Sequence, residues 1–354
     1  MKYYIQETIF DETRNKNAGS KARQDINSIA EQNGFSPIEV QYDYNLRSEK
    51  GFWQALMKLT RDWRESLQGF GENDTILIQF PINHHPLCIA SKIRKMRRCG
   101  AKVIILIHDI DSLRMNGTTI DRKIKHLKVI GEDKSILSQA DVIIAHNHSM
   151  INALMKMGID ERKLISLEIF DYLTDEQIFT KCRNQNDPVI IAGTLRKGKA
   201  EYVYHLPENV DFNLYGVGYE GEEHRNINYK GSFMPEELLS VMEGSYGVVW
   251  DGFSSESCLG SSGEYLKINN PHKTSLYLAA GLPVIVWDKA AISKFVIENE
   301  VGITVKSLSE ICEKVQKISN EEYKRIVSNA IDISKRLRQG YHASCAIEKA
   351  LSII

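Results

Sequence analysis

Apolar residues in this chain gather into short runs separated by mixed stretches. Residues 75–80, 103–107, 142–145, 189–192, 248–250 and 284–287 are each nearly continuous in Val, Ile, Leu and aromatic side chains. Runs of this kind mark parallel strands covered on both faces. Between them Ala22, Ile26, Ile29 and Ala30 recur at helical spacing, as do Leu276, Tyr277 and Ala280. The intervening stretches therefore read as amphipathic helices. Strand and helix alternating over most of the length predict an α/β protein with parallel sheets.

The pattern breaks once. Residues 171–188 are polar, with Thr174-Asp175-Glu176-Gln177 and Asn184-Gln185-Asn186-Asp187, and a new strand opens at Val189. Two Rossmann-like domains are expected, residues 1–172 and 186–339, which suits a chain of 354 residues at roughly 150 per domain. From Leu308 onward the pattern is helical, and a last helix over 340–354 is expected to cross back to the first domain. Doubly wound sheets bind ligands beyond the carboxyl ends of their strands. Two of them facing each other across a cleft would place the chemistry in the residues that follow each strand.

Charge narrows the partners. With 45 Lys and Arg against 46 Asp and Glu, the net charge of −1 gives no overall attraction for nucleic acid. The start, MKYYIQE, has no apolar h-region, and no apolar run approaches the roughly 20 residues that cross a bilayer. A soluble cytoplasmic protein is expected. The six cysteines, at 88, 99, 182, 258, 312 and 345, form no CxxC pair. They read as reduced thiols. No metal site is expected, because the histidines lack HxxxH or HExxH spacing.

The stretch Gly193-Thr194-Leu195-Arg196-Lys197-Gly198-Lys199 follows the strand 189–192. A glycine at the strand end lets a ligand reach the backbone, and three cations beside it suit a pyrophosphate. A solvated basic turn is the plainer alternative. No GxGxxG occurs, which disfavours a dinucleotide redox cofactor. Farther on, Asn269-Asn270-Pro271-His272-Lys273 opens the helix that carries Leu276 and Tyr277. Asn270 is placed as its N-cap, with Lys273 in the first turns. The free N–H groups and positive dipole end of that helix can hold a diphosphate.

In the first domain, His108-Asp109 ends the strand 103–107, where the pair can take a proton from an acceptor hydroxyl or simply hold the loop by hydrogen bonds. His84-His85 and His146-Asn147-His148 also end strands. They read as acceptor-side or loop-structuring groups. The stretch 17–23, NAGSKAR, can present N–H groups to a phosphate or merely cap a helix. The Ser- and Gly-rich loop 253–263 after Asp251-Gly252 can act as a lid or be an ordinary surface loop.

The segment NNPHKTSLYLAAGLPVIVWDKAA (269–291) resembles the bacterial β-1,6-galactofuranosyltransferases of polysaccharide assembly. It also resembles the related glucosyltransferases that extend GlcNAc on serine-rich adhesins. NAGSKAR, LIHDID (106–111), AHN (145–147), IFDYL (169–173), LYGV (214–217) and VVWDG (248–252) follow the same resemblance in order along nearly the whole chain. It implies a GT-B fold, a hexosyltransferase reaction without a metal ion or other cofactor, and a UDP-sugar donor. Arg196 and Lys273 would then hold the diphosphate. Gly193, Asn270 and His272 would lie at the donor, Tyr215 near the uridine, and Gly19 and Ser20 over the phosphates. His108 or Asp109 would be the base. The longer segment 254–262 is closer to the galactofuranosyltransferase pattern and tilts the donor toward UDP-galactofuranose. The alternative is glucosyl or GlcNAc transfer onto a GlcNAc-modified serine-rich glycoprotein. A nucleotide-sugar epimerase and a non-catalytic partner protein are the remaining rivals. The acceptor would be a glycan, glycolipid or glycoprotein. Self-association stays open, as does peripheral docking at the inner face of a membrane through residues 92–98.

Overall fold

The computed structural model describes the chain apart from residues 11–17, 85, 116–119, 176–182 and 223. Two compact units form, one of Met1–Leu167 with Ala343–Ile354 and one of Glu168–His342.

The first unit holds six parallel strands: β1 (Lys2–Phe10), β2 (Ser36–Asp43), β3 (Thr75–Phe80), β4 (Lys102–Ile107), β5 (Val142–Ala145) and β6 (Leu164–Ser166). Their order is β2-β1-β3-β4-β5-β6. The inner strands β3, β4 and β5 are the continuous apolar runs of the sequence, and Ile76, Leu77, Ile105, Leu106 and Ile143 are fully buried. The edge strand β2 (SPIEVQYD) alternates buried Val40 and Tyr42 with exposed residues, whereas β1 (KYYIQETIF) buries the adjacent Tyr4 and Ile5 before polar residues break its run at Gln6, Glu7 and Thr8. At the edge strand β2 only one face is covered, so the continuous run is absent there. The helix Ala18–Gln32 buries Ala22, Ile26, Ile29 and Ala30, the face expected from the spacing. At the chain's end, Ala343, Ala346, Ile347 and Ala350 are buried as part of this unit. Asn33 donates to Ser344 Oγ at 3.0 Å.

The second unit repeats the plan with β7 (Val189–Thr194), β8 (Phe212–Val217), β9 (Ile227–Tyr229), β10 (Gly247–Val249), β11 (Val284–Trp287) and β12 (Gly302–Val305). All are parallel, in the order β12-β11-β10-β7-β8-β9. Counted from β7, that is the 3-2-1-4-5-6 order of a dinucleotide-type sheet, with its switch point between β7 and β10. In the first unit the corresponding switch lies between β1 and β3. Ligand chemistry is expected at the carboxyl ends of these two strand pairs.

The helix Ile89–Arg98 carries five cations, of which Arg94, Lys95 and Arg98 are exposed. Lys92 Nζ donates to Thr60 O at 2.7 Å, Arg94 Nε to Gln139 Oε1 at 3.2 Å, and Arg97 pairs with Asp141. No helix among the described residues is long and apolar enough to cross a membrane.

Candidate active site

At the switch point of the second unit, Lys273 spans the two strand ends. It lies in the first turn of the helix His272–Ala279, which packs across the sheet. Its Nζ donates to the Trp250 carbonyl just beyond β10, at 3.2 Å. Its Cε lies 3.4 Å from where a Cβ at Gly193, on β7, would stand. Gly193 has φ of 136°, a backbone state that side-chain-bearing residues rarely adopt. The strand end is thus bare backbone with an ammonium group over it. Asp251, Lys273 and Asp288 all act electrostatically on the Cys258 thiol, so the carboxyl ends of β10 and β11 share this neighbourhood. At the same helix start and just beyond β11, Asn269 Oδ1, Thr274 Oγ1 and Asp288 Oδ1 are buried and have no hydrogen-bond partner among the described residues. Orphaned buried polar atoms of this kind point to water or a polar ligand. Nothing in their spacing marked Asp288 or Thr274 in the sequence.

Asn270 is not the helix cap. Pro271 occupies that position with φ −67° and ψ 133°, and its carbonyl accepts from Thr274 N–H at 3.0 Å. Asn270 instead turns inward, 2% exposed, and donates to Glu168 O at 2.8 Å. Ser275 Oγ donates to Phe170 O at 2.7 Å, and the His272 ring packs on Phe170 with centroids 4.2 Å apart. The start of this helix therefore does two things. Lys273 points to the strand ends, while Asn270, His272 and Ser275 clamp residues 168–170. Burial pushes the His272 imidazole down to about 4, so the ring is neutral.

Arg196 is exposed at the carboxyl end of β7 and folds over Gly218, where a Cβ would stand 2.3 Å from its Cγ. Tyr215, expected beside a uridine, is 2% exposed in the core. Its hydroxyl accepts from Glu243 N–H at 3.0 Å and donates to Val241 O at 3.3 Å. Both faces of β8 are covered here, since Phe212, Asn213 and Leu214 are buried as well. The half-exposed rings at this edge are Tyr204 and Tyr219, stacked at 5.5 Å, with Lys197 Nζ 5.2 Å from the Tyr204 centroid. The loop 253–263 is more ordered than its Ser and Gly content suggests. Trp250 Nε1 donates to Ser254 O, Leu308 N to Ser255 O, Cys258 is fully buried, and Gly260–Tyr265 is a helix.

In the first unit, Gly19 and Ser20 occupy the first turn of the helix Ala18–Gln32, while Asn17 and His85 lie outside the described residues. His108 follows β4, and its Nε2 lies 2.6 Å from Gln79 Oε1 on β3. Asp109 pairs with Arg114 at 3.1 Å. His146 is buried and bonded to Ile107 O, a structural histidine, and His84 stacks on Tyr42 at 3.7 Å. Between the ends of β1 and β3 lies an ion pair that the sequence reading missed. Glu7 meets Arg23 Nη1 at 3.1 Å and accepts from Asn83 N–H at 2.9 Å, while Arg23 also donates to Pro81 O. Burial outweighs the pull of Arg23 and Asn83 and raises the Glu7 carboxyl to about 7. Two charged residues 16 positions apart carry no shared motif, and only the parallel topology brings them together. Among the described residues no group of three or more His, Cys, Asp or Glu could hold a metal ion.

This arrangement matches known proteins over its whole length. Residues 2–169 match the N-terminal domain of the glucosyltransferase 3-like proteins, and residues 189–350 match their C-terminal domain. The β-1,6-galactofuranosyltransferase WbbI of Escherichia coli (strain K12) is 33% identical over 99% of this chain and 98% of its own. Glucosyltransferase 3 of Streptococcus gordonii is 25% identical over 90% of each. Among solved structures, HepE of Anabaena in complex with UDP superposes with a TM-score of 0.57 at 15% identity, covering both chains completely. Fold and relatives define a glycosyltransferase of the GT-B class. The chain belongs to the glucosyltransferase 3-like family.

Proposed function

We propose that this glycosyltransferase moves a galactofuranosyl group from UDP-galactofuranose to a hydroxyl of a glycan acceptor in cell-surface polysaccharide assembly, without a metal ion. The observation that carries the donor half is Lys273, at the start of the His272–Ala279 helix, seated over the bare strand end at Gly193, with Arg196 three residues farther along the chain. A diphosphate there meets an ammonium, a guanidinium and first-turn N–H groups, all fixed before the reaction. Departure of UDP builds negative charge on the diphosphate, and these groups neutralise it in place of a cation. The orphaned oxygens of Asn269, Thr274 and Asp288 accept hydrogen bonds from sugar hydroxyls. The choice of galactofuranose is supported by the full-length likeness to the E. coli enzyme.

In the same reading His108 removes the proton from the attacking hydroxyl as the acceptor oxygen bonds to the anomeric carbon and the sugar–phosphate bond breaks. Asp109, held by Arg114, acts on the charge around it. UDP release from UDP-galactofuranose, UDP-glucose and UDP-GlcNAc, measured side by side with EDTA present, tests the proposal. It is overturned by turnover confined to UDP-glucose or UDP-GlcNAc, or by loss of turnover in EDTA. Turnover of UDP-glucose on a GlcNAc-bearing peptide would support the second reading, which the 25% likeness to the streptococcal glucosyltransferase favours.

A further inference from the structure

We infer that Gln79 is a positioning residue that fixes His108 in the Nε2–H tautomer, so that Nδ1 is the nitrogen that accepts the proton. The inference rests on the reading of His108 as base, but its geometry stands apart from that reading. Gln79 is on β3, 5% exposed, with its side chain between the helix Ala18–Gln32 and the end of β4. Its Nε2 donates to Asn27 Oδ1 at 2.6 Å and approaches the Arg23 carbonyl at 3.3 Å. A peptide oxygen can only accept. The amide NH2 must therefore face Arg23, which turns Oε1 toward His108.

The contact between His108 Nε2 and Gln79 Oε1 is 2.6 Å, and a carboxamide oxygen has no proton to give. The imidazole must supply it from Nε2, and a neutral ring that protonates Nε2 carries its lone pair on Nδ1. His108 is held at a second point by its backbone N–H, which donates to Phe80 O at 2.7 Å, one residue beyond Gln79 on the same strand. Ring and main chain are thus registered to β3 together. A carboxylate in the place of Gln79 would favour the imidazolium. The neutral amide orients the ring without placing a charge beside it.

Heteronuclear NMR on the full-length protein labelled with 15N-histidine reads the tautomer directly, with the His108 signal identified by its loss in His108→Asn. The expected result is a single Nε2–H tautomer in the wild type. In Gln79→Met both tautomers should be populated, and kcat should fall roughly 10- to 100-fold with the donor KM unchanged. Gln79→Glu keeps an acceptor at His108 Nε2 and should restore the single tautomer and raise the pH of half-maximal rate by about one unit, at a lower melting temperature because its second oxygen meets the Arg23 carbonyl. An Nδ1–H tautomer in the wild type, or a Gln79→Met protein with unaltered spectrum and rate, overturns the inference. Wild-type transfer by His108→Asn would instead remove the base assignment and leave the tautomer result intact.

Discussion

A methyl group on Gly193 would stand 3.4 Å from Cε of Lys273, in contact but without a clash. The demand for glycine at 193 therefore comes from its φ of 136°, and the demand for lysine at 273 comes from what its Nζ can reach. The two substitutions should separate. Gly193→Ala is expected to destabilise the protein by about 1–2 kcal/mol through backbone strain, seen as a lower melting temperature. Lys273→Ala should leave the melting temperature within a degree or two while reducing kcat by roughly 100- to 1,000-fold. Near-wild-type turnover in Lys273→Ala would remove the donor site from this strand end.

Arg196 lies across Gly218, with no room for a side chain beneath it. Gly218→Ala must push the guanidinium aside or strain a backbone held at φ 79°. If Arg196 grips the diphosphate, Arg196→Ala and Gly218→Ala should both raise the donor KM, by roughly tenfold, and the effect should shrink as salt is added. Initial-rate measurements at two ionic strengths check this. An unchanged KM in both variants would make Arg196 a solvated surface cation.

The strands that were legible were the ones buried on both faces. Residues 75–80, 142–145 and 284–287 carry the apolar run that such burial demands, and they are β3, β5 and β11. Strands β2, β9 and β12 were not, because an edge strand mixes polar residues into its pattern, and β1, though inside its sheet, has its apolar run broken at Gln6, Glu7 and Thr8. The 269–273 segment was legible as a charged helix start, since cation and cap residues sit side by side in the chain. What it could not show was direction. Whether Asn270 faces a ligand or the 168–170 segment depends on a hydrogen bond to a residue 102 positions away. Glu7–Arg23 and Gln79–His108 were invisible for the same reason, being made by neighbouring strands and helices.

Asn270 and Ser275 each satisfy a backbone carbonyl in the 168–170 segment. Removing either donor strands a buried acceptor, at a cost of about 1–3 kcal/mol. Asn270→Ala and Ser275→Ala should therefore lower the denaturation midpoint while leaving the donor KM within about twofold. A large KM change in Asn270→Ala at unaltered stability would restore Asn270 to the donor.

The two units should respond to acid in opposite senses. In the second unit, burial pushes His272 and His342 down to about 4 from an ordinary 6.5, with Arg336 adding to the effect at His342. Their folded pKa values lie below the unfolded ones, so the unfolded chain binds the extra protons. Stability from them is complete above pH 6.5 and is lost as pH falls toward 4, by about 1–3 kcal/mol for each. His342 Nε2 is buried without a hydrogen-bond partner among the described residues, and charging the ring would place a cation there. In the first unit Glu7 is raised to about 7 from 4.5, so its contribution is complete below pH 4.5 and is lost as pH rises through 7. Acidification from pH 7 to 5 should therefore loosen the β7–β12 sheet while Glu7 supports the β1–β6 sheet. Hydrogen exchange at pH 5 against pH 7, corrected for intrinsic rates, should show protection lost first in β7–β12. His342→Phe should reduce that loss, and Glu7→Gln should remove the pH dependence of the first unit. Earlier loss of protection in β1–β6 would mean that other titrating groups govern acid stability.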